Sequence, residues 1–199
     1  MTPIEFWFDF SSAYAFFAAQ EIEALGARVG RVILWRPFML GTAFKLTGAR
    51  GLSSTPLKSD YAAHDWDRLA RLKSHRFARP EGHPKIALPA TRAFYWIEGQ
   101  ASVLAPRFAK AVFDAYYDCR LDTSDEAAVA EFAAGFGFSP EAALEGMRAP
   151  AIKERAKDLS EQAVGRGVFG SPWFFVDGEP FWGHDRMAMM EDWIACGGW

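Results

Sequence analysis

The chain has 199 residues, half of them hydrophobic and 16% aromatic, which is enough apolar material to fill a core and too much for a disordered chain. Lys and Arg total 22 against 25 Asp and Glu, and the net charge of −3, with no basic stripe interleaved with aromatics, excludes a nucleic-acid binder. There are two cysteines, Cys119 and Cys196, neither in a C-x-x-C pair, and no Cys/His spacing from which a metal site could start.

The N-terminus carries no basic segment, and Glu5 and Asp9 interrupt its apolar run, so it does not read as a signal peptide. No stretch approaches the roughly 20 apolar residues of a membrane-spanning helix. A soluble, cytoplasmic protein is the expectation.

Phe6, Phe8 and Phe10 alternate with Trp7 and Asp9, which predicts a strand over 4–10. Ser11 and Ser12 follow, then a helical run to Leu25 with Tyr14, Ala18, Ile22 and Leu25 on one face. A serine at this point satisfies an orphan amide of the first turn. The same position, at the positive end of a helix, suits a carboxylate, phosphate or thiolate. Either the serines only cap the helix, or one of them also holds an anion.

Val32 to Trp35 is a short apolar run that reads as a strand buried on both faces, parallel to the first and ended by Pro37. From 38 to 59 the period is lost among Gly41, Gly48, Gly51, Ser53, Ser54 and Pro56, which predicts a long loop or lid. Helical patterns then run over 57–75, 86–96, 103–117, 124–136, 140 onward and 151–165. The segment Thr123-Ser124-Asp125-Glu126 reads as a capping-box start, and Ser139 before Pro140 as a second cap. Arg79 to Pro84 breaks the series. After the turn 167–172, Trp173 to Val176 is a strand, Asp177-Gly178 a hairpin turn, and Glu179 to Trp182 the returning strand. A last helix runs from Arg186 to Ala195. The order β-α-β, helical block, then β-β-α predicts an α/β thioredoxin-like fold, residues 1–45 and 166–199, with a large all-helical insertion over 46–165.

Several side chains carry more than one reading. Lys58, Tyr61, Asp65 and Arg68 share one helix face, as salt-bridge lacing along a solvated helix would require. His64, His75 and His83 fit no common helix face and suit solvated or capping roles. His184, at the start of the last helix, suits a cap or a ligand contact equally. The two cysteines read as buried or incidental thiols. Trp7, Trp35, Trp96, Trp173 and Trp182 read as core or interface, although an aromatic-lined pocket would suit a bicyclic aromatic acid. Arg36 has the geometry to take a substrate carboxylate bidentately.

Five blocks carry a family resemblance. Phe8-Asp9-Phe10-Ser11-Ser12-Ala13-Tyr14 is similar to an F-D-F-x-S-P-[YF] opening. Trp35 to Gly41 resembles the segment after the second strand, and Lys58, Tyr61, Asp65 and Arg68 match a K-x-x-Y-x-x-x-D-x-x-R helix. Gly167 to Pro172 resembles G-V-F-G-V-P, and Phe181 to Arg186 resembles a stretch containing W-G-N-D-R-L. In this order they resemble the 2-hydroxychromene-2-carboxylate isomerases and kappa-class glutathione transferases of the DsbA-like thioredoxin superfamily.

The resemblance implies a glutathione cofactor and a small aromatic substrate, with cis-trans isomerisation in aromatic degradation as the reaction. A kappa-like transferase or peroxidase, or a non-catalytic glutathione-binding member, are the alternatives. By the same resemblance, Ser12 would hydrogen-bond the glutathione sulfur as the catalytic group, with Ser11 beside it. Pro172 would be a cis-proline that bares the Ser171 backbone to the cysteinyl part. His184 and Asp185 would receive the γ-glutamyl end, and Lys58 or the 52–56 loop would face the glycine carboxylate. Arg36 and Tyr61 would face the substrate, no metal is implied, and a homodimer is what the family suggests. The chain departs from the pattern at Ala13, Ser171 and His184. It also has Ser-Ala-Tyr where a disulfide oxidoreductase needs a paired thiol.

Overall fold

The computed structural model describes residues 2–199. Strand β1 (Ile4–Phe8) leads through a tight turn into α1 (Ala13–Val29), which returns the chain to β2 (Ile33–Pro37). β1 and β2 are parallel, with Phe6 opposite Trp35. A helical series follows: α2 (Leu40–Thr47), α3 (Lys58–Lys73), α4 (Leu88–Gln100), α5 (Ala105–Tyr117), α6 (Glu126–Ala133), α7 (Pro140–Arg148) and α8 (Pro150–Gly165). The chain then forms the hairpin β3 (Trp173–Val176) and β4 (Glu179–Trp182) and ends in α9 (Met187–Cys196). The sheet order is β2-β1-β3-β4, with β3 antiparallel to β1. This is the thioredoxin-like sheet with helices inserted between its halves, as the element order implied.

The central strand explains the aromatic alternation. Ile4, Phe6, Phe8 and then Phe10 face the large core shared with α1, α4 and α5, where Phe6 stacks on Phe174 at 5.3 Å and Phe10 meets Phe113 at 5.1 Å. Trp7 points the other way, into a smaller cluster with Phe38, Ala163, Val168, Trp173 and Phe175 beneath α8. A strand covered on both faces buries nearly every side chain it has. Residues of the helical series and of the sheet therefore belong to one continuous apolar cluster.

Three expectations need correction. β2 is not buried on both faces: it is the edge strand, Val32 is 76% exposed, and Ile33 and Leu34 are only half covered. The 38–59 stretch is not a structureless lid. Leu40–Thr47 is helical, stopped by Gly48 at φ 71°, and a 3₁₀ turn covers Leu52–Ser54. The cap of α6 is Asp125 rather than the Thr123-Ser124 pair, its Oδ1 accepting from Ala127 N (2.8 Å) and Ala128 N (3.2 Å). The Ser139 cap is as expected, its Oγ accepting from Ala142 N at 3.1 Å.

α1 also runs one turn past the expected end. A Cβ on Gly26 would stand 2.7 Å from the Arg31 carbonyl and 2.8 Å from Ile33, so a glycine there lets β2 pack closely against an unbroken helix. Termination falls to Gly30 at φ 68°. In the hairpin, Asp177 (φ 52°) and Gly178 (φ 92°) both take left-handed conformations, the pair that a two-residue loop demands. No helix among the described residues is long and apolar enough to cross a membrane.

Candidate active site

The turn between β1 and α1 meets the loop before β3, and Asp9 organises the meeting. Its carbonyl accepts from Ser12 N (2.9 Å), its Oδ1 from Ser11 N (2.8 Å) and its Oδ2 from Leu40 N (3.0 Å). Its own N–H donates to Ser171 Oγ at 2.9 Å. One residue thus ties the start of α1, the start of α2 and the loop before β3. Burial raises the Asp9 carboxyl above its ordinary value, and the Ser11 and Leu40 amides pull the other way.

Ser12 is the N-cap of α1, its Oγ accepting from Ala15 N at 3.2 Å. The same hydroxyl donates to the Ser171 carbonyl at 2.7 Å. The Ser171–Pro172 peptide bond is cis, and Pro172 O accepts from Gly183 N at 3.0 Å. The amides of Ala13 and Tyr14, and that of Ser171, have no hydrogen-bond partner among the described residues. Free first-turn amides beside a capping hydroxyl form an anion-binding corner.

The other expected residues fall into three groups. Ser11 turns away: its Oγ donates to the Lys85 carbonyl, in a segment held by Tyr116, whose hydroxyl accepts from Lys85 N at 3.3 Å. Burial pushes the Tyr116 phenol up to about 12 and the His83 imidazole down to about 4, and the two share a hydrogen bond at 2.9 Å between the phenol oxygen and Nδ1.

Lys58 and Tyr61 lie exposed on the first turns of α3. One turn on, Asp65 accepts from Tyr14 OH at 2.9 Å and from Arg68 at 2.7 Å. Burial, then the Asp65 bond, raises the Tyr14 phenol, and Tyr61 and Asp185 lie near enough to add to that shift. Tyr14 therefore fastens α3 to the first turn of α1. Asp185 itself is exposed beside Arg186, at 3.1 Å. Gly183 before it has φ 106°, and a Cβ there would meet Asp185 Oδ1 at 2.5 Å.

His184 and Arg36 are engaged elsewhere. His184 Nε2 lies 3.3 Å from Glu21, which also pairs with Lys73, and burial lowers its pKa against the pull of Glu21. Of the two roles read for His184, it makes no cap bond. Arg36 pairs with Glu98 at 3.2 Å, which Arg155 also holds at 2.5 Å, forming a half-buried triad under the sheet edge. None of its partners is a residue around Ser12. Cys119 and Cys196 are both free and exposed, not buried. No cluster of three His, Cys, Asp or Glu among the described residues has the geometry of a metal site.

Sequence reasoning put Tyr14 on the packed face of the first helix and quoted Asp9 within a motif but gave neither a role in the site, and it missed the Tyr116–His83 pair. An acid flanked by Phe8 and Phe10 in an apolar strand was the available signal for Asp9.

A sheet whose cis-proline loop abuts the N-terminus of its first helix defines a thioredoxin-fold protein, and this one has a serine at the helix start instead of a thiol. A family profile described as a DSBA-like thioredoxin domain matches residues 3–195. The chain belongs to the DsbA-like thioredoxin family. Three curated relatives, 26% to 28% identical, are named 2-hydroxychromene-2-carboxylate isomerase, which bears out the resemblance read from the motifs. That of Sphingobium xenophagum is 28% identical over 193 residues, 96% of this chain and 97% of the relative. A solved 2-hydroxychromene-2-carboxylate isomerase superposes with a TM-score of 0.87 at 25% identity, over 98% of this chain and 95% of that one. A cytosolic disulfide reductase of Pseudomonas aeruginosa, solved with glutathione, shares the fold at a TM-score of 0.66 and 17% identity, over 98% of this chain and 96% of that one.

Proposed function

We propose that this protein is a glutathione-dependent isomerase acting on 2-hydroxychromene-2-carboxylate or a similar product of aromatic-ring degradation. The observation that carries the reading is the corner at Ser12: a capping hydroxyl, free amides at Ala13 and Tyr14, and the unpaired Ser171 amide beside a cis-proline. These groups fit a peptide thiol. The amides and hydroxyl suit a sulfur anion, and the unpaired Ser171 N–H suits a peptide carbonyl. The names of the curated relatives point to the reaction, and the reductase solved with glutathione is a fold neighbour.

Glutathione supplies a thiolate able to add to a conjugated alkene, allow rotation and leave. The chain's part is to bind that sulfur and keep it ionised. A hydrogen bond to a charged group is worth about 1.5–3 kcal/mol and a helix N-terminus about 0.3–1 kcal/mol. At about 1.4 kcal/mol per pKa unit, they would bring a thiol from near 8.5 toward neutrality. Ser12 is the catalytic group in this reading, Ser171 and Pro172 orient the peptide, and Asp185 and the Lys58–Tyr61 end of α3 line the same corner. Ser11 and His184, held by the Lys85 carbonyl and by Glu21, act by positioning, and Arg36 is held away from this corner by Glu98. The exposed, unpaired Cys119 and Cys196 suit a reducing cytoplasm.

Retention on a glutathione matrix tests binding. Turnover of a chromene carboxylate, compared with conjugation of a chlorodinitrobenzene-type acceptor, tests the reaction. Conjugation without isomerisation would overturn the isomerase reading in favour of a transferase.

A further inference from the structure

A serine hydroxyl has one proton to donate. In Ser12 that proton is committed to the Ser171 carbonyl at 2.7 Å, while a lone pair takes the Ala15 amide. The hydroxyl cannot donate to the carbonyl and to a sulfur anion together. When it swings to the sulfur, a seated ligand covers the Ser171 carbonyl, and water no longer replaces the lost donor.

The free amides of Ala13 and Tyr14 open the first turn of α1 and are the ones a sulfur anion takes, and the other main-chain donors of the corner are engaged. Asp9 N–H points to Ser171 Oγ, Ser11 N–H to Asp9 Oδ1, and Gly183 N–H to Pro172 O. The replacement donor has to come with the ligand. A covered carbonyl left without a partner costs as much as the hydroxyl gains from the sulfur.

Building on the glutathione reading, we infer that the Ser12–Ser171 bond is a selectivity gate: the Ser12 hydroxyl turns to a bound sulfur anion only when the thiol also brings an amide N–H that takes over the Ser171 carbonyl. The class selected is the N-acylated cysteine, a peptide thiol. A simple alkyl thiol of the same length meets the helix amides without the hydroxyl and ionises at a higher pH. The step is an exchange of hydrogen bonds in which the thiol proton passes to solvent, and no covalent bond changes.

The test is the ultraviolet absorbance of bound thiolate, titrated with pH on the full chain. The probes are glutathione, its two analogues N-methylated singly at either cysteine-flanking amide, and 3-mercaptopropionate, each with occupancy fixed by calorimetry. Glutathione and one N-methyl analogue should ionise at the same pH, while the other analogue and mercaptopropionate should need a pH higher by about one unit or more, roughly tenfold in the ionisation constant. In Ser12→Gly, which keeps a tolerated cap residue, that difference between the analogues should vanish because no hydroxyl remains to be released. All four probes ionising alike in the native chain, or a difference that survives in Ser12→Gly, would overturn the gate and leave glutathione binding standing. If calorimetry finds no glutathione binding, the function proposed above falls and the gate falls with it.

Discussion

The phenol of Tyr14 donates to Asp65 at 2.9 Å, fastening α3 across the first turn of α1, two residues beyond the Ser12 cap. Asp65 keeps Arg68 as a second partner, so removing the phenol weakens the join without stranding a bare carboxylate. Tyr14→Phe should cost about 1 kcal/mol. For a chain of this size that is a fall of roughly 2–4 °C in Tm by calorimetry. An unchanged Tm would mean the bond contributes nothing to the docking of α3.

A second prediction concerns the seam between α4 and α7. A Cβ on Gly146 would fall 2.2 Å from Trp96 Nε1, and Trp96 is already packed against Phe138 at 4.9 Å. Gly146→Ala should therefore destabilise by about 1–3 kcal/mol, as overpacking does. Gly135, with nothing within 4 Å of its would-be Cβ, is the control, and its alanine variant should leave the urea midpoint unchanged or raise it.

Asp9 supplies the third. Asp9→Ala removes the acceptor of two main-chain amides at once, at a cost of about 3 kcal/mol. The loss should also be local: the Leu40 amide, bound at 3.0 Å to Asp9 Oδ2, should lose its protection against hydrogen exchange and α2 should fray. Retained protection at Leu40 would mean that α2 is held by its other contacts alone.

The pH dependence of stability follows from His83. Burial lowers its folded pKa to about 4 from 6.5, so between these values the unfolded chain binds more protons than the folded one. The His83 contribution to stability therefore falls as the pH drops from 6.5 toward 4 and levels off below. His184, also lowered by burial, acts with the same sign. His83→Gln should flatten that part of the urea-midpoint profile relative to the native chain. Parallel profiles would mean His83 is protonated without cost.

The sheet was largely legible because its information is local. The Phe6-Trp7-Phe8 alternation, the Trp173–Val176 run and Asp177-Gly178 each state their own conformation, and β3 and β4 fall where the pattern put them. α2 was not legible. Gly41 and Gly48 dilute its period, no side chain caps it, only Ala43 is buried, and its first amide is held by Asp9, 31 positions back. The exposure of β2 was hidden for a similar reason: an apolar run gives no sign of whether a neighbour will lie on its far side.

The site divided along the same line. That Ser12 caps α1 could be read from its place after a strand. That Ser171 would receive its proton could not, since 159 residues separate the two. Lys58 and Tyr61 were placed on one helix face and do share it, but the convergence of Lys73 and His184 on Glu21 has no sequence period behind it.

β1 pairs on one side with β2, completed by Pro37, and on the other with β3, where Glu5 faces Phe175. During synthesis the first strand is thus left with one open flank until β3, which follows all the helices from α2 to α8, has left the ribosome. An unpaired apolar strand of this kind is a template for other strands. The nascent β1 segment, with its phenylalanines and tryptophan, is the element for which a holding chaperone would matter most.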